Sequence, residues 1–117
     1  MVHYNFLKLK DGTDVDEVFC RCQDVYARLE EELDFLHNAR VCRCATVRDS
    51  NADIMMVMEL DAPDRLQDYL QHPMHVALAQ GMKERIAARM SFDEEEHTET
   101  GRSSWKRKRP RCPPIWV

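Results

Sequence analysis

The chain has 117 residues, 44% hydrophobic and 32% charged, which fits one folded domain and excludes a disordered chain. No apolar run approaches the ~20 residues of a membrane span, and MVHYNFLKLKDGTD lacks the parts of a secretory signal, so a cytoplasmic protein with no membrane partner is expected. Residues 1–92 carry 11 Lys/Arg against 16 Asp/Glu, so the body offers no basic face to nucleic acid; any such affinity would reside in the tail, where DEEEHTE gives way to RSSWKRKRPR.

Residues 2–9, VHYNFLKL, read as a strand with Val2, Tyr4 and Phe6 on one parity and His3, Asn5, Leu7 and Leu9 on the other. DGT turns the chain, and Thr13 with Asp16 three residues on gives an N-cap signal. Helical spacing then runs through Val15, Val18, Phe19, Cys22, Val25, Tyr26, Leu29, Leu33 and Leu36 as far as His37-Asn38. Residues 40–47 and 53–60 form a predicted hairpin around RDSNAD. Asp61 and Pro63 open a short helix over DRLQDYL. Pro73 disfavours helical geometry at His72, so the helix breaks there and restarts at Pro73, running to about Ala87. Residues 88–92 complete the pattern as an edge strand, giving a domain over 1–93 and a tail over 94–117 that is acidic, then basic, and expected to be disordered. The tail's WKRKRPR also fits a nuclear import signal.

Strand, helix, two strands, two short helices and a strand make an α+β fold with helices on one face of a four-stranded antiparallel sheet. The first and third strands are apolar on both parities, yet helices cover only one face. A second copy covering the other face resolves this, so a homodimer packed sheet on sheet through Tyr4 and Phe6 is expected.

Five cysteines, at 20, 22, 42, 44 and 112, include two C-x-C pairs. Zinc sites use wider spacing, and on a helix Cys20 and Cys22 would point about 200° apart. An odd count without a secretion signal argues against disulfides. Reduced cysteines and no metal are expected.

The stretch YLQHPMHVALAQG carries the chemistry. On a helix restarting at Pro73, Ala79, Met82 and Ile86 lie within about 40° of His75, which therefore points inward. His72 falls at the break and caps. A metal clip of His72 and His75 lacks further ligands nearby. His75 is then either a satisfied core histidine or a neutral acid–base group, with Tyr69 able to polarise a substrate oxygen; neither needs a cofactor.

VHYNFLKLKDGTD and LQDYLQHPMHVALA resemble the stress-responsive A/B barrel (Dabb) family over roughly residues 2–93. The resemblance implies a ferredoxin-like fold whose dimer closes an α/β barrel. Within the family it is similar to a plant polyketide cyclase that performs an intramolecular aldol condensation. That similarity implies His75 and Tyr69 as a catalytic pair, His3 as the early strand histidine, and Asn5, Leu7, Cys22 and Val25 as pocket linings. Three readings follow. One is a homodimeric stress-tolerance protein holding an apolar small molecule without turnover. The second is a cofactor-free cyclase using His75 and Tyr69, and a weaker third is a cofactor-free monooxygenase. A pocket reaching His75 favours the enzymes; a filled core around it favours the binding protein.

Overall fold

A computed structural model describes residues 1–95. Strand β1 (Val2–Leu9) leads into helix α1 (Val15–Glu32), then β2 (Leu36–Arg43), β3 (Ile54–Leu60), α2 (Arg65–Leu70), α3 (Pro73–Met82), a 3-10 turn (Lys83–Arg85) and β4 (Ile86–Glu94). The sheet order is β2-β3-β1-β4, wholly antiparallel, so the doubly apolar β1 and β3 are its central strands. A single copy makes an open sheet with its helices on one face.

Alternation sorts the sheet into two faces. Leu7, Leu9, Ile54, Met56, Met58 and Leu60 point to the helices, where Val18, Cys22, Leu29, Leu78 and Met82 meet them in one core. Each such side chain contributes about 1.5–3 kcal/mol on burial. The opposite face carries Tyr4 and Phe6 from β1 beside Phe92 and Met90 of β4, with Val57 and Met55 of β3 on the other side. Met90 and Phe92 remain 72% and 60% exposed.

Several boundaries differ from the sequence reading. Asp14, not Thr13, caps α1, accepting from the Glu17 N–H at 3.2 Å. The helix stops at Glu32 rather than Asn38 because Leu36 re-enters the core from β2, preserving an apolar spacing that mimicked another turn. Asn38 takes a left-handed φ of 52° inside β2, where the register against β3 shifts between His37 and Arg40; it serves a bulge. β2 ends at Arg43, leaving residues 44–53 as a longer loop pinned by Lys8 Nζ, which donates to the Arg48 and Asn51 carbonyls. Asp61 does not cap α2: its carboxylate accepts from His37, and the helix starts at Arg65. Ile86, expected on a helix, opens β4 opposite Leu9.

The four described cysteines are free thiols. Among the described residues no helix is long and apolar enough to cross a membrane. Cys112 and the tail from residue 96 onward lie outside the described residues.

Candidate functional site

The β1–β4 register builds the floor of the site. His3 lies opposite Asp93, Asn5 opposite Ser91, and Leu7 opposite Arg89, three successive rungs on the helix-side face. Above them, the chain breaks at His72. Its extended backbone (φ −60°, ψ 134°) is the geometry a residue before proline prefers. His72 Nδ1 accepts from the Met74 N–H at 3.1 Å, while Nε2 faces Glu32 Oε2 at 3.3 Å. Both nitrogens are thus engaged, and His72 ties the start of α3 to the end of α1.

The break aims His75 back over α2. Its Nδ1 lies 3.0 Å from the Leu70 carbonyl, which can only accept, so Nδ1 carries the hydrogen and Nε2 the lone pair. Nε2 has no hydrogen bond among the described residues, where no buried side-chain nitrogen or oxygen lacks a partner, so it opens to the cleft. Burial pushes the His75 pKa below its usual 6.5, with the charges of Arg89, His3 and His72 adding to the depression and the Leu70 bond opposing it. At neutral pH this is a neutral imidazole with one nitrogen free to take a proton.

His75 and His3 line one cleft of about 200 Å³, together with Asn5, Leu66, Leu70, Arg89, Met90, Ser91 and Asp93. His3 is buried, and its Nδ1–H donates to Asp93 Oδ1 at 2.5 Å. Drug-sized ligands occupy roughly 300–1,000 Å³, so this space suits a smaller molecule.

Tyr69 stands behind these groups. Its ring packs on His75 at 4.7 Å and on His3 at 5.7 Å between centroids, but its hydroxyl lies 2.5 Å from the Tyr26 hydroxyl within the core. Burial raises both phenol pKa values, that of Tyr26 to about 12. The hydroxyl of Tyr69 therefore faces α1, not the cleft. Of the residues expected to line a pocket, only Asn5 reaches this one. Leu7 and Cys22 are buried in the core, where Cys22 Sγ meets Met82 Sδ at 3.6 Å, and Val25 packs against that core. Burial lifts the Cys22 thiol pKa to about 11, leaving it a packing group.

Arg89, Ser91 and Asp93 escaped the sequence reading. Their signal was the alternation in ARMSFDE, polar at 89, 91 and 93 and apolar at 90 and 92, which puts all three on one face.

A family model described as "Stress responsive A/B Barrel Domain" matches residues 1–96. Among curated proteins none matches. A dimeric protein of unknown function with a ferredoxin-like fold from Bacteroides fragilis is similar at 23% identity and a TM-score of 0.70, over 81% of this chain and 94% of that one. A dimeric ferredoxin-like protein from Jannaschia is 15% identical with a TM-score of 0.69, over 81% and 97% of the two chains. A Dabb family protein from Mesorhizobium loti is 13% identical with a TM-score of 0.58, over 83% and 96%. At these identities the likeness is one of fold.

Proposed function

The chain belongs to the stress-responsive A/B barrel family, and from that premise we propose that it is a homodimeric, cofactor-independent enzyme that enolises a small carbonyl compound. The observation that carries the reading is the open lone pair of His75 Nε2 in a cleft shared with His3, Asn5 and Ser91. The base takes a proton from carbon next to a carbonyl; the C–H electron pair becomes the carbon–carbon double bond of the enolate, and the carbonyl π pair moves onto its oxygen. The Asn5 amide and Ser91 hydroxyl can donate to that oxygen; neither has a hydrogen bond among the described residues. Intramolecular attack of the enolate carbon on a second carbonyl would complete an aldol cyclisation, with the imidazolium returning its proton to the new alkoxide. Tyr69 holds the His75 ring rather than touching substrate. In this reading a stress-tolerance role consists in processing a small carbonyl compound, not in storing one.

The outer sheet face supports self-association. Tyr4, Phe6, Met55, Val57, Met90 and Phe92 form an apolar surface that a lone copy leaves uncovered. Two such faces packed together would close a barrel, and two of the similar structures are dimeric proteins.

Hydrogen–deuterium exchange at the central carbon of 2,4-pentanedione, followed by proton NMR, tests the chemistry. The wild-type protein should accelerate exchange above buffer, and His75→Gln should lower the rate on the order of 100-fold, within the range of a general base. Equal rates for the folded variant and wild type would sink the proposal.

A further inference from the structure

The cleft is lined by an arginine that no side chain among the described residues engages. Arg28, Arg43, Arg65 and Arg85 each meet a carboxylate on the surface. Arg89 has no ion pair among the described residues; Arg21, Arg40 and Arg48 share that condition, but Arg89 alone of them lines the cleft. Its charge is close enough to add to the burial-driven depression of the His75 pKa and to oppose slightly the burial-driven rise at Tyr69 and Tyr26.

The charges along the floor are separated. Asp93 is the carboxylate of the lining, and His3 engages it at 2.5 Å. Arg89 sits four residues back along β4, about 13 Å at strand spacing. Asn5 and Ser91 form the neutral rung between them. The cleft thus has a cationic end at Arg89, a neutral middle and an anionic end already bound by histidine. Arg89 is exposed at the rim of this cleft, and a planar guanidinium there is suited to a carboxylate, which it can hold by two parallel hydrogen bonds.

We infer that Arg89 is a specificity-determining residue and that the substrate is a small oxo acid, its carboxylate seated on Arg89 and its acidic carbon presented to His75. The inference rests on the enolisation reading for the position of the reacting carbon, while Arg89 itself takes no part in the proton transfer. A compound with a carboxylate beyond its ketone, such as a 3-oxo acid, places the acidic methylene between the two anchors. The space of about 200 Å³ keeps the molecule small.

Acetoacetate and 2,4-pentanedione make the test, because they share the reacting methylene and differ in whether a carboxylate or an acetyl group flanks it. Each is measured by deuterium exchange against wild type, Arg89→Gln, Arg89→Lys and His75→Gln. Arg89→Gln should raise the KM for acetoacetate relative to that for pentanedione about tenfold or more, the size of one lost charge-assisted hydrogen bond, whereas any change it makes in His75 basicity acts on both probes alike. Arg89→Lys should recover part of the loss. Equal effects of Arg89→Gln on both probes, or none on either, would overturn the inference while leaving the enolisation reading in place. Loss of exchange for neither probe in His75→Gln would instead remove the enolisation reading.

Discussion

The hydroxyl pair of Tyr26 and Tyr69 separates a structural tyrosine from a catalytic one. The two oxygens lie 2.5 Å apart, and the residues are 3% and 0% exposed, so each hydroxyl depends on the other. Tyr69→Phe removes one and strands the Tyr26 hydroxyl in the core. An unsatisfied buried hydroxyl costs about 1–3 kcal/mol, and Tyr26→Phe should cost a similar amount for the same reason. The double variant loses both partners with little change of shape, so its cost should fall well below the sum, with a coupling of about 0.5–3 kcal/mol. Thermal unfolding at equal protein concentration reads this out, because a domain of this size shifts by ~4–8 °C per kcal/mol. The same four proteins are then assayed for exchange on 2,4-pentanedione. Since the Tyr69 hydroxyl faces α1, Tyr69→Phe should retain most activity at temperatures where it is folded. Additive destabilisation would refute the hydroxyl pair. A 100-fold loss of exchange without loss of stability would return Tyr69 to the chemistry.

Phe92→Asp, which puts a charge on the exposed outer sheet face, should shift sedimentation toward monomer, whereas Val76→Asp on α3 should not; an unchanged wild-type monomer at micromolar concentration would remove the dimer. Truncation after Glu95 should preserve cooperative unfolding, because every strand and helix of the described fold lies within residues 1–94; loss of the transition would show that the tail is structural. Stability should decline as pH falls below 6.5, because the unfolded chain then binds a proton that folded His75, with its lowered pKa, still refuses. His75→Gln should flatten that limb, and identical slopes would contradict it. His72→Ala should cost about 1 kcal/mol through its lost cap, leaving exchange at His75 intact.

The elements were legible where one periodicity held without competition. The strand at 2–9 and the proline break at 73 depend on local sterics and alternation, and both stand where the sequence placed them. Errors arose where an apolar residue belonged to the core by a different route. Leu36 and Ile86 kept helical spacing with their predecessors, but each enters the core from a strand. Spacing alone cannot tell these apart, because the core wants the side chain and is indifferent to the backbone that delivers it. The site was half legible for a similar reason. Helix position brought His75 inward, but strand register alone decides that Asp93, and not a neighbour, lies opposite His3.

That register joins the cleft to the outer face. α3, with 10 residues, is about 15 Å long, while the nine residues of β4 span about 30 Å, so α3 cannot cover the whole strand. The uncovered inner parity is the polar one, Arg89, Ser91 and Asp93, and it tolerates water. The outer parity is Met90 and Phe92, which does not. A slip of one residue against β1 would exchange the two sets, placing Met90 and Phe92 beside the histidines and turning the charges onto the outer face. Two side-chain bonds oppose the slip: His3 to Asp93 on the inner face, and the Tyr4 hydroxyl to Glu94 at 2.7 Å on the outer. One alternation therefore supplies both a polar floor for chemistry and an apolar face that calls for a partner. His3→Ala should weaken both at once, because the bond it removes holds the register they share.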